Sequence, residues 1–182
     1  MALSATVYRL RIDLSDVDRG VYQALDLRLA RHPSETMQYL LTRVIAYCLC
    51  LREGLAFSKG GLSDTDEPAL SARDAHGKIE LWIDVGSPSP ERLHKASKAA
   101  GAVVVFTQHD PALLQRAARN KTIHRAGDIT IQALDPPFLE ALAAATDRNA
   151  AWTLVHTEGT LYVTIGAETF TSPVSRYPLL VP

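Results

Sequence analysis

Cysteine is scarce in this 182-residue chain, with only Cys48 and Cys50. They stand two apart in a segment of helical pattern, so their side chains diverge and cannot close a disulfide, and the spacing is not that of a zinc site. Buried free thiols in a reducing cytoplasm are the expectation. Surplus charge is missing as well. Lys and Arg number 19 against 20 Asp and Glu, a net charge of -1, which removes the global basicity that advertises nucleic acid but leaves room for a local positive groove. No uninterrupted apolar run reaches membrane-spanning length. Met1-Ala2-Leu3-Ser4-Ala5-Thr6 has neither a basic n-region nor an apolar h-region, so a soluble, unexported protein without a membrane partner is expected.

Familiar catalytic signatures are also lacking. His94, His109, His124 and His156 are scattered without ligand spacing, and His32 and His76 fall at cap and turn positions. No serine or threonine sits in a nucleophile elbow. Gly60-Gly61 lacks the Walker spacing and reads as a turn. Without repeats, low-complexity tracts or linkers, residues 1–182 are expected to form a single domain.

What is present is clear hydrophobic periodicity. Thr6 to Leu14 and Tyr22 to Ala30 alternate as half-buried strands and should pair antiparallel. On their polar side Arg9, Arg11 and Arg28 read as solvated residues, with phosphate contact as the alternative. Ser34 is a good N-cap for a helix with Glu35 at its first position, running to about Arg52 and closed by Gly54. Its buried stripe is Met37, Leu40, Leu41, Val44, Ile45, Cys48 and Leu51. A short strand around Phe57 follows.

The chain is organised around Ser63 to Lys98. Acids at Asp64, Asp66 and Glu67 precede a hairpin turning at His76-Gly77. Direct pairing across that turn sets Ala69 opposite Asp84 and Glu67 opposite Gly86, so the first strand's acids meet Asp84 at the end of the second. Alternation puts Leu81, Ile83 and Val85 on a core face and Glu80, Trp82 and Asp84 on the other, with Trp82 read as core and base stacking as its alternative. Pro90 opens a helix carrying Lys95 and Lys98 and stopping at Gly101; Ala102 to Thr107 is a buried strand, making a parallel crossover. A helix started by His109-Asp110-Pro111 and running to about Arg119, a strand at Ile129 to Leu134 and a helix opened by Pro136 and Pro137 and running to about Ala145 follow. A hairpin joins Trp152–His156 to Thr160–Ile165, and the prolines at 173, 178 and 182 suggest an extended tail poor in ladder bonds.

His32-Pro33-Ser34-Glu35-Thr36, Asp66-Glu67-Pro68, Leu81-Trp82-Ile83-Asp84-Val85-Gly86 and Lys95-Ala96 resemble the bacterial YaeQ family over nearly the whole chain. The resemblance implies an α/β (α+β) fold. It has a mixed central sheet with a PD-(D/E)XK nuclease-like αβββαβ core, plus N-terminal and C-terminal β-hairpins. The family has no securely established biochemical role.

For that superfamily the resemblance implies carboxylates gathered around magnesium, with a lysine assisting the attacking water. By position Asp66 or Glu67 matches the acid before the hairpin, Asp84 the acid of the following strand, and Glu35 the additional helix acid. Asp66-Glu67-Pro68 departs from the family order, leaving open which acid points inward. The superfamily's lysine position, two residues after Asp84, is Gly86 here. Lys95, or else Lys98, is the substitute reaching in from the next helix. Two functions are implied: a magnesium-dependent phosphodiesterase acting on nucleic acid, with Asp84 and Lys95 catalytic, or a non-catalytic protein of that fold binding nucleic acid or a protein partner. An arginine on Asp84 would favour the second.

Overall fold

The structure, a computed structural model, describes residues 4–59 and 66–181. Met1-Ala2-Leu3, the Gly60-Gly61 turn, Ser63, Asp64 and Pro182 lie outside the described residues. The chain forms two compact units, Met1–Leu41 with Leu134–Val174, and Thr42–Ala133 with Ser175–Pro182.

The first unit is built on two long strands, β1 (Thr6–Asp16) and β2 (Val21–Arg31), paired antiparallel with Leu10 opposite Leu27. Residues after the second unit return as α4 (Pro136–Ala145), β8 (Asn149–Thr157), β9 (Thr160–Ile165) and β10 (Glu168–Pro173). The sheet order is β10-β9-β8-β1-β2, with β1 and β8 parallel. The two expected terminal hairpins are therefore one sheet. Strict alternation explains it: Leu10, Ile12, Leu14, Leu27, Leu29, Trp152, Leu154, Leu161 and Val163 are all buried, and both hairpins carry the same half-apolar pattern. Each such residue contributes about 1.5–3 kcal/mol by leaving water. Helix α4 turns Phe138, Leu139 and Leu142 inward.

Helix α1 (Met37–Leu49) leads into the second unit. It begins later than expected because Thr36, not Ser34, caps it: Thr36 Oγ1 accepts from Tyr39 N–H at 3.1 Å. Ser34 is engaged with the His32 ring, and Glu35 precedes the cap. The helix ends at Leu49 rather than Arg52. Gly54 then takes φ +75°, and a Cβ there would lie 2.2 Å from the Arg73 carbonyl oxygen, so only glycine lets β3 (Leu55–Phe57) run so close to its neighbour.

The second sheet has the order β11-β7-β6-β5-β4-β3, where β4 is Leu70–Arg73, β5 Ile79–Val85, β6 Ala100–Thr107, β7 Thr130–Ala133 and β11 Ser175–Pro178. The β4–β5 hairpin has the expected register, Leu70 opposite Ile83 and Ser71 opposite Trp82, with a bulge after Ala72. Its turn is tied by the Asp74 carboxylate, which accepts from the N–H groups of His76 and Lys78. Strands β5, β6 and β7 are parallel, connected by α2 (Pro90–Ala99) and α3 (Pro111–Ala118). Trp82, Leu93, Ala96, Val103, Val105, Leu114 and Ile131 form one buried cluster beneath these helices. So β5 is buried on both faces, as central parallel strands are, and the side bearing Trp82 and Asp84 is core rather than an open acidic surface.

The tail differs from expectation. It contributes β10 and β11, each an edge strand, where proline's missing N–H costs no ladder bond. Cys48 and Cys50 are buried and form no disulfide. Among the described residues no helix is long and apolar enough to cross a membrane.

Candidate functional site

The acids of the central segment meet the first turn of α2 in the second unit. Ser89 caps this helix by accepting from the Arg92 N–H at 3.2 Å, and Pro90 occupies its first position. The cap fixes Arg92 over the C-terminal end of β5. There its Nε donates to Asp84 Oδ2 and its Nη2 to Asp84 Oδ1, both at 2.8 Å. The same Nη2 donates to the Glu67 carbonyl oxygen at 2.7 Å. The guanidinium lies 5.7 Å over the Trp82 ring. Only 3% of the Asp84 side chain and 25% of Arg92 remain exposed, which makes this a largely desolvated bidentate pair.

Lys95, one helical turn on, reaches Asp66 and its Nζ donates to Oδ1 at 2.5 Å. That hydrogen bond, with the ammonium charge, holds the Asp66 carboxyl below the ordinary carboxylate range. The pair is far wetter, with Asp66 79% exposed. The Glu67 carboxylate turns away and accepts from Ser58 Oγ at 3.0 Å. Beside it an open cleft of about 300 Å³ is lined by Ser58, Lys59, Glu67, Ser71 and Arg73. Lys98 is exposed in the last turn of α2.

Of the residues singled out from sequence, Lys95 meets Asp66, and Asp84 is linked through Arg92 to the backbone carbonyl of Glu67, but the expected gathering of the Asp66, Glu67 and Asp84 carboxylates is not found. Glu35 lies in the first unit, buried, its Oε2 accepting from the His32 N–H at 3.1 Å. Gly86 has φ +93° and donates its N–H to the Phe106 carbonyl. The chain leaves β5 there in a conformation that favours glycine, which gives a physical reason for the absent lysine. Arg92 was missed. Its signal was positional: a cation in the first turn of a crossover helix stands over the end of the strand before it, three residues from Lys95.

The oxygens of Asp84 and Glu67 are hard donors of the type magnesium takes, but that ion needs six ligands at about 2.0–2.1 Å. Both Asp84 oxygens and the Glu67 carbonyl are already bound by one guanidinium, and among the described residues no three His, Cys, Asp or Glu side chains are grouped to hold a metal ion. The arrangement as it stands does not fit magnesium.

These features define an α+β protein with two mixed sheets and, at the end of β5, a buried acid neutralised by an arginine of the crossover helix that follows. The chain belongs to the YaeQ family, whose profile, described as YaeQ protein, matches residues 1–174. It is 32% identical to the uncharacterized protein YaeQ of Escherichia coli K12 over 90% of each chain. Its fold matches the crystal structure of the YaeQ protein from Xanthomonas axonopodis pv. citri, with TM-score 0.84, 33% identity and coverage of 94% and 98%. The YaeQ protein from Pseudomonas syringae gives 0.85 at 31% identity, covering 94% and 95%.

Proposed function

We propose that this chain is a non-catalytic protein of the PD-(D/E)XK nuclease-like type that binds nucleic acid without cutting it. The observation that carries this reading is the bidentate Arg92–Asp84 pair. In a working nuclease the strand acid holds a metal ion at the phosphate; here a tethered guanidinium satisfies both of its oxygens and its charge. The strand lysine is replaced by a glycine in a left-handed conformation, and Lys95 is paired with Asp66. Lys59 and Arg73 line the adjoining cleft with Glu67 as its one acid among the described residues, and supply a local positive edge for a phosphate backbone. The free thiols of Cys48 and Cys50 support a cytoplasmic location.

One observation favours the magnesium-dependent phosphodiesterase instead. Three oxygens, two of Asp84 and the carbonyl of Glu67, converge on one cationic position, so magnesium is the ion they would take if Arg92 were drawn aside. Binding and cleavage of labelled nucleic acid, measured with magnesium and with a chelator, separate the two. The non-catalytic reading expects chelator-insensitive binding and no cleavage. Magnesium-dependent cleavage abolished by Asp84→Asn establishes the phosphodiesterase.

A further inference from the structure

The five-stranded sheet of the first unit has an outer face that the Arg92–Asp84 site does not use. Its registers define continuous rows across the strands. Tyr22, Ser15, Val155, Tyr162 and Thr171 form one row from β2 to β10. The next holds Ala24, Asp13, Thr153, Thr164 and Thr169. Beyond it lie Asp26 beside Arg11, then Arg28 beside Arg9 and Asn149.

Two features stand out. Tyr22 and Tyr162 are 65% and 40% exposed, with rings on the same face and in the same row. Three strand intervals of about 4.8 Å separate them, roughly 14 Å. The second is charge. Arg9 grips Asp26 through Nε at 2.9 Å and Nη2 at 2.5 Å, while Arg11 is the cross-strand neighbour of Asp26 and Arg28 stands in the next row, so three arginines share one acid. Asp13 lies one row away on the same face, and Asp147 stands two residues before Asn149 at its other end. A chain with a net charge of -1 therefore concentrates positive charge in two adjacent rows of one sheet.

We infer that this face binds single-stranded nucleic acid, the phosphates lying on Arg11, Arg28 and Arg9 and unpaired bases stacking on Tyr22 and Tyr162. Charge complementarity chooses this occupant. Guanidinia surplus to their acid attract a polyanion, and a row rich in threonine offers hydroxyl contacts and little apolar area to a protein partner. Flat exposed rings on an open sheet suit splayed bases, because every base has a stacking face, whereas the stacked bases of a duplex are closed to them. The Tyr row and the Arg11 row lie four residues apart along the strands, about 13 Å. That footprint suits a strand of about four nucleotides, the low end of known site sizes. The inference deepens the nucleic-acid reading above by naming the strand state, but it rests on a surface of the other unit.

Fluorescence anisotropy of the full chain with a labelled oligouridine of about 12 nucleotides tests it, the length covering the site with room to spare. Saturable binding is expected at low salt, weakening as salt rises. The Arg11→Ala/Arg28→Ala double variant should bind more weakly, with a salt slope smaller by about 1.4 if each arginine meets one phosphate. Tyr22→Ala/Tyr162→Ala should lose about tenfold or more in affinity with an unchanged slope, and Tyr22→Phe/Tyr162→Phe should keep binding. All these positions are on the sheet surface, and circular dichroism checks that the variants fold. Absence of wild-type binding, binding indifferent to all four alanine substitutions, or preference for a duplex of equal length overturns the inference. Binding lost only in Lys59→Ala/Arg73→Ala overturns it while leaving the cleft of the second unit as the nucleic-acid surface.

Discussion

Arg92, in the first turn of α2, holds both carboxylate oxygens of Asp84 at 2.8 Å, eight residues back in the chain at the end of β5. The pair joins the helix to the strand that precedes it, and through the Glu67 carbonyl it also anchors the segment entering the hairpin. Removing Arg92 leaves the Asp84 carboxylate buried without the guanidinium that neutralises it. Arg92→Ala is expected to destabilise the chain by about 3 kcal/mol, the lower end of the range for broken buried pairs because part of the guanidinium is solvated. The Asp84→Ala/Arg92→Ala double variant should lose less than the two single losses added together. Urea denaturation of all four chains measures the coupling; additive losses would deny it.

Lys95 and Asp66 form a short but exposed contact. Such pairs are screened by salt and hold two mobile side chains. Lys95→Ala should therefore leave the thermal midpoint unchanged at physiological salt. A clear drop would mean that the pair supports the fold.

Gly86, two residues after Asp84, where the proposed nuclease-like reading expects a lysine, takes φ +93°. Gly86→Lys restores the residue type of the motif but not its strand geometry. A side chain forced into that conformation should cost about 1–3 kcal/mol and confer no cleavage of nucleic acid. Thermal melts with a nuclease assay check both parts, and a stable, active variant would contradict this account of the departure.

Acid should weaken the first unit through Asp18, whose carboxylate accepts from the Gly159 and Glu158 N–H groups at 2.9 and 2.7 Å. These bonds, Gly159 first, hold its carboxyl below the ordinary range. A depressed folded-state value means the stabilisation is fully present above the unfolded carboxyl's range and is lost as pH falls through the lower, folded one. Thermal midpoints should fall on acidification below about pH 4. Asp18→Asn should flatten that limb, and an unchanged profile would remove Asp18 from the explanation.

Much of this architecture was legible because periodicity is a direct image of burial. The alternation of β1 and β2, the His76-Gly77 turn and its register, and the Pro90 and Pro111 helix starts follow from local chemistry alone. Features set by long-range contacts were not. Nothing local says that β8 would lie parallel to β1, or that Ser175–Pro178 would return to edge the second sheet beside β7. Thr36 outcompeted Ser34 as the cap because the His32 ring engaged Ser34, a choice made by neighbours rather than propensity. Register brought Asp84 and the Glu67 segment to the same end of the hairpin, but nothing local in the sequence distinguishes Arg92 from any other helix cation; only the fold lays it over Asp84.

The central claim is that Arg92 takes the cationic position at Asp84. Calorimetric titration of magnesium into the metal-free chain, wild type beside Asp84→Asn, tests it most directly. The account predicts no saturable magnesium binding by the wild type. Saturable binding by the wild type that disappears in Asp84→Asn would contradict it, showing that the ion displaces the arginine from those oxygens.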